Sequence, residues 1–185
     1  LVATAPGALN IAGTVAANTS TSTMALGDGD TNVAVTANTT VGGAATGLID
    51  IGDATLVDGA TLTVGTGIAN AINLDKVTGT ASGAVSSLTI NTSGLVNVAE
   101  AVGTDIGVVT LTQSGGTTFV DTVAAVTVTL TDTTGTIAFN GNLTVTTALT
   151  TASEAYLVSI LGSANVIAGT TTFLNTGVVP LGDAA

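Results

Sequence analysis

Aliphatic residues alternate with Thr, Asn, Asp or Ala at a period of two along most of the chain. The pairs include Leu9/Ile11, Met24/Leu26, Val33/Val35, Ile49/Ile51, Leu62/Val64, Ile72/Leu74, Leu88/Ile90, Val96/Val98, Val109/Leu111, Val126/Val128/Leu130, Ile137/Phe139 and Leu143/Val145. Alternation of this kind places the aliphatic residue on one face of a strand and the polar one on the other. Many short strands follow. Gly, Asn, Asp and Ser punctuate them at GDGD (27–30), VGGAATG (41–47), TSG (92–94), SGG (114–116) and NGN (140–142), which suits tight turns.

One stretch admits a helix, LTTASEAYLVSILG (149–162), with Ser153 as its cap. The competing reading is a strand through Tyr156, Val158 and Ile160, favoured by the β-branched Thr150 and Thr151 just upstream. Self-similarity is clearest in VTLTQS (109–114), VTVTLT (126–131) and LTVTTA (143–148), whose spacing of 17 residues predicts Thr110, Thr127 and Thr144 in register on one face.

Two all-β architectures compete for this pattern. A β-sandwich needs longer strands and usually a ring-rich interior, whereas Phe119, Phe139, Phe173 and Tyr156 are the only aromatics. A parallel, right-handed β-helix accepts short strands, Gly and Asn corners and a slender Val, Leu and Ile core. The β-helix is the preferred fold, the β-sandwich the alternative. Coils of about 17–25 residues give eight to ten of them, a rod on the order of 40–50 Å long at the interstrand spacing of roughly 4.8 Å. Residues 1–185 then form a single solenoid segment, expected to belong to a longer repetitive protein because VVPLGDAA (178–185) reads like the middle of a repeat.

Composition narrows function by subtraction. The chain has 12 acids, one base (Lys76), no His, Cys or Trp, and a net charge of −11. With no basic patch, counterion release cannot drive nucleic-acid binding, and an anionic membrane surface is disfavoured for the same reason. No apolar run reaches the roughly 20 residues that span a bilayer. Mean hydropathy of +0.69 is ample for a core and excludes disorder by low hydrophobicity.

The best metal candidate is Asp28, Asp30 and Asn32, alternate oxygen donors in a Gly turn of the kind that converges on Ca²⁺. Val33 stands where an EF-hand loop needs Gly and Thr39 where it needs the bidentate Glu, so a solvated turn is the simpler reading. Calcium is the one cofactor to consider. Asp50, Asp53 and Asp58 form a second acidic group; paired carboxylates cleave glycosides, yet a polysaccharide groove also wants aromatic platforms, which are missing nearby. Turn capping explains these acids better than catalysis, and no catalytic residue is assigned. Lys76 is expected to pair with Asp75 or an acid of a neighbouring coil, and Asn73, Asn91, Asn97 and Asn140 to bond between coils at corners. Stacked Thr on one face matches the hydroxyl-and-methyl arrays of ice-binding solenoids, although Thr is also a favoured outward strand residue. Sequons stand at Asn18, Asn38, Asn91 and Asn142.

The phrases SLTINTSG (87–94), TGTIAFNGNLTV (134–145) and TTTFLNTGVVPLGDAA (170–185) resemble the passenger repeats of large secreted bacterial surface proteins, the filamentous-haemagglutinin-like and autotransporter-type adhesins. The resemblance covers nearly the whole chain in texture and implies an extracellular, rod-like stalk. No functional residue carries over, since that family shares no catalytic set. The expectation is a non-enzymatic structural segment of a cell-surface adhesin, coat or filament. Its expected partners are its own copies or further coils end to end, with host or surface glycans as candidates. A self-assembling subunit with a sandwich fold, joined by strand donation through residues 1–13, is the alternative.

Overall fold

The computed structural model describes residues 1–3, 7–19, 21–27 and 31–182. Every strand pairing among them is parallel, and the strands stack as a β-solenoid of about seven turns. A sandwich needs antiparallel neighbours, so that alternative does not hold. Residues 149–162 hold no helix: they comprise the end of the strand Leu143–Thr151 and the strand Leu157–Ile160.

Each coil lays down three faces. The first is an eight-stranded sheet from Val2–Ala3 through Met24–Leu26, Ile49–Ile51, Ile72–Leu74, Val96–Val98, Thr117–Phe119 and Thr136–Phe139 to Leu157–Ile160. The second and third faces share an eleven-stranded sheet. In the outer coils one strand turns the corner between them, as in Leu9–Ala16, Val33–Gly42, Val123–Thr133 and Leu143–Thr151. In the middle coils the strand divides at this corner into Ala54–Leu56 and Thr61–Val64, Val77–Gly79 and Ser86–Asn91, and Val102–Gly103 and Ile106–Ser114. Val33–Gly42 accordingly pairs with both Ala54–Leu56 and Thr61–Val64.

First-face partners fix the coil length. Val2 lies opposite Ala25, Met24 opposite Ile49, Ile49 opposite Ile72, Ile72 opposite Val96, Val96 opposite Thr117, Thr117 opposite Ile137 and Ile137 opposite Val158. Coils therefore run from 20 to 25 residues, longer and fewer than the 17-residue offset implies. The ladder passes from Thr110 to Thr129 and on to Thr150, so Thr110, Thr127 and Thr144 are not in register. The three T-x-T phrases sit at different distances from their corners, which sequence spacing does not record.

The core is a single column of aliphatic side chains. Leu56, Leu62, Val64, Leu88, Ile90, Val109, Leu111, Val128, Leu130, Ile137 and Val145 are all fully buried. Burying one such side chain is worth about 1.5–3 kcal/mol, and the repetition of that gain holds each coil to the next. Towards the C-terminal end the column widens to take rings: Phe119 and Phe139 stack with centroids 4.9 Å apart and planes 2° from parallel. The buried Tyr156 hydroxyl donates to the Leu130 carbonyl (3.2 Å) and accepts from the Ala152 amide (2.9 Å). Val126 breaks the alternation, being 37% exposed, because a bulge between Ala125 and Thr127 turns Ala125 inward in its place.

Candidate functional site

Of the calcium candidates, Asp28 and Asp30 lie outside the described residues. Asn32 is half-buried, and its side-chain oxygen accepts a 3.0 Å hydrogen bond from the Thr55 hydroxyl of the next coil. Among the described residues no group of three or more His, Cys, Asp or Glu side chains is placed to hold a metal ion.

The second acidic group does not share one place. Asp50 faces outward mid-face in Ile49–Ile51, Asp53 stands where the first face turns into the second, and Asp58 follows Ala54–Leu56 at the next corner and packs against Gly83 of the coil above. Lys76 forms an ion pair with Asp53 of the preceding coil, and its backbone amide also reaches the Asp53 carboxylate at 3.4 Å. The pairing is with a neighbouring coil's acid and not with Asp75. Hydrogen bonding and charge from Asp53 hold the Lys76 ammonium above its ordinary range, with Glu100 adding to the effect. The Asp75 carboxyl is pushed up by partial burial, with repulsion from Asp53 and Asp50 adding to it. This corner is a charge-balancing seam in which one cation faces several acids.

A buried polar seam runs along the corner between the third and first faces. Asn70, 2% exposed, donates its side-chain amide to the carbonyls of Ala45 (2.8 Å) and Gly47 (2.6 Å) in the coil below. Thr92 donates to Ile68 and Asn70 carbonyls, Ser114 and Thr133 share a 2.7 Å hydroxyl contact, and Asn175 donates to the carbonyls of Tyr156 and Gly177. Corners leave backbone carbonyls without a ladder partner, and buried carbonyls need one. The side chains of this seam supply it.

Of the expected corner asparagines, Asn91 ends the strand Ser86–Asn91 and Asn140 follows Thr136–Phe139, whereas the other two are placed differently. Asn73 and Asn97 stand mid-face, stacked in one outward column with Asp50 and Thr118. The corner role falls to Asn18, Asn38 and Asn142, whose side-chain oxygens accept from the backbone amides of Ala44, Thr61 and Ala164 respectively. These are also three of the four sequon asparagines.

No family model, no curated protein and no solved structure matches the chain. Shallow concavities occur on the surface, and two bear on the reading. One, of about 400 Å³, lies on the first face between Asn73, Asn97, Leu95, Gly116 and Thr118. The other, of about 270 Å³, lies at the second-to-third corner beside Val85, Asp105, Ala124 and Thr146. Neither gathers an acid and a base or nucleophile in the geometry that acid–base catalysis requires.

The third face carries the most regular chemistry. Thr14, Thr40, Thr63, Thr89, Thr110, Thr129 and Thr150 lie opposite one another in unbroken succession, one per coil. The T-x-T phrases pointed to stacked Thr on one face, but the members of this column become legible only with the true register.

Proposed function

We propose that the chain is a non-enzymatic structural segment of a bacterial cell-surface adhesin, coat or filament, working outside the cell as a stiff spacer. The observation that supports this reading is the continuity of parallel pairing from Val2 to the bridge between Ile160 and Leu181, over an unbroken aliphatic core. Load along such a rod is shared by many backbone hydrogen bonds at once, and the acidic skin keeps it dispersed. The reading is tested by immunogold labelling of intact producing cells with an antibody to the exposed corner Thr80–Val85. Label on unpermeabilised cells is expected, and label only after permeabilisation overturns it.

The same reading makes the two ends sites of pairing, with copies of the chain or with further coils of a longer protein. Among the described residues Leu9–Ala16 pairs with Val33–Gly42 alone. At the other end Val178, Pro180 and Gly182 lay a further course over Leu157–Ile160. Val2, Val178 and Leu181 are each about two-thirds exposed or more, at 71%, 68% and 66%. Open parallel edges beside exposed aliphatics recruit further strands. Sedimentation across a concentration series is expected to show end-to-end oligomers; a monomer at every concentration removes this part of the proposal.

A further inference from the structure

The threonine column on the third face differs from every other outward column in the solenoid. On the first face the corresponding positions read Ala25, Asp50, Asn73, Asn97, Thr118, Ala138 and Ser159. On the second they read Asn10, Ala34, Thr55, Thr78 and Gly103. The preference of β-branched residues for strands acts equally on all three faces, so it does not account for one column being Thr throughout.

The hydroxyls of that column are also free. Thr36, Thr80 and Thr131 elsewhere donate back to carbonyls of the preceding coil, at 3.2, 2.9 and 2.8 Å. Among the described residues no protein hydrogen bond engages the seven hydroxyls of the ladder. The neighbouring column on the same strands, Thr61, Ser87, Val108, Thr127 and Ala148, is equally small and uncharged, although the chain carries 12 acids. Register shifts fall to either side, at Ile11/Gly13, Ser86/Ser87, Ile90/Asn91 and Ala125/Thr127. Between them the pairing is regular.

We propose that this ladder is an ice-binding face, with a crystalline water lattice as its partner. Each coil presents a hydroxyl that both donates and accepts, beside a methyl group, at the coil rise of roughly 4.8 Å. Hexagonal ice repeats along its a axis at a spacing close to that rise. Thr is stiff at χ1, so the array is set before binding and little conformational entropy is lost. The ladder and the column beside it carry no charge, which spares the desolvation cost that a carboxylate would add at such a contact, and the acid on these strands, Asp132, stands towards the far corner opposite Gln113. The two grooves described above, where a small solute would sit, lie off this column. A crystalline polysaccharide fits less well because the face has no aromatic ring to stack on a sugar. The inference rests on the geometry of the third face and is independent of where the protein resides.

The purified chain is assayed for inhibition of ice recrystallisation and for thermal hysteresis, beside Thr89→Lys/Thr110→Lys on the ladder and Thr118→Lys on the first face. The wild type and Thr118→Lys are expected to inhibit recrystallisation and shape ice, and the ladder variant to lose about tenfold or more of that activity, as when the centre of a binding face is disrupted. Circular dichroism and melting of the three proteins establish that all are folded. No activity in the wild type overturns the proposal, and so does equal activity in the ladder variant. Ladder-dependent binding to microcrystalline cellulose without any effect on ice overturns it in favour of a polysaccharide, and ladder-dependent dimerisation without an effect on ice overturns it in favour of a second copy.

Discussion

The corner between the second and third faces is built in two ways. In the middle coils it is open: Val57–Ala60, Thr80–Val85 and Thr104–Asp105 leave the sheet between one face and the next. In later coils it is closed, with Val123–Thr133 and Leu143–Thr151 running round it as single strands. The open corner holds Val57 and Val85 in solvent, at 43% and 48% exposure. It also holds the non-glycine residues with positive φ among those described, Ser82 at 74°, Thr104 at 52° and Asp105 at 63°. The closed corner absorbs its turn in the bulge at Ala125/Thr127. Corner length is therefore free to vary while face register is not. Extra loop residues cost little closure entropy, whereas a slip of one residue on a face turns every side chain over.

The harshest way to break this comparison is deletion. Removing Thr129 from the closed strand shifts Leu130 towards solvent and Thr131 into the core, and loss of cooperative unfolding in a urea melt followed by circular dichroism is expected. Removing Ala81 from the open corner is expected to cost less than about 1 kcal/mol. Equal costs would mean that corners and faces are not independent. Next in size is Phe139→Ala, which empties the ring stack with Phe119 and is expected to cost about 3–5 kcal/mol. Val57→Ala, at the open corner, is expected to stay within about 0.5 kcal/mol.

The two regions also differ in how far they were legible in the chain. Face residues such as Leu62/Val64 and Ile72/Leu74 announce themselves by alternation, and all four are buried as read. Val126 does not, because a bulge is a backbone event with no residue type of its own. The seam residue Asn70 sits among Ala and Ile and reads as a turn; its role arises from carbonyls of Ala45 and Gly47 a whole coil away. The Thr ladder was half visible, since T-x-T phrases marked the face while corner lengths hid which Thr meets which.

A gentler probe sharpens the contrast at the open corner itself. Thr104 holds a left-handed backbone that a β-branched residue disfavours, a strain of order 1–3 kcal/mol. Thr104→Gly is expected to raise stability by about 1 kcal/mol once the greater freedom of Gly in the unfolded chain is offset. A lower melting temperature in that variant would sink the strain argument.

The smallest effect separates the early coils from the late ones at a different corner, where the first face meets the second. In the early coils this corner gathers Asp53, Asp75 and Lys76 within reach of the charge of Asp50 on the first face, whereas in a late coil Asp121 caps the amide of Thr122 at 2.6 Å. Burial and the neighbouring carboxylates raise the Asp75 pKa, so the folded protein binds that proton more tightly than the unfolded chain does. Its contribution to stability is thus fully present below the unfolded carboxylate value and is lost as pH rises through the folded one. Acidification from neutrality should raise the melting temperature, partly through Asp75 and partly through relief of general repulsion in a chain of net charge −11. Asp75→Asn isolates the first part. It is expected to melt higher than the wild type at pH 7, by less than about 1 kcal/mol for so exposed a corner, and to converge with it on the acid side. If the two melting curves keep a constant separation down to acid pH, burial and repulsion at this corner do not raise Asp75 in the folded protein.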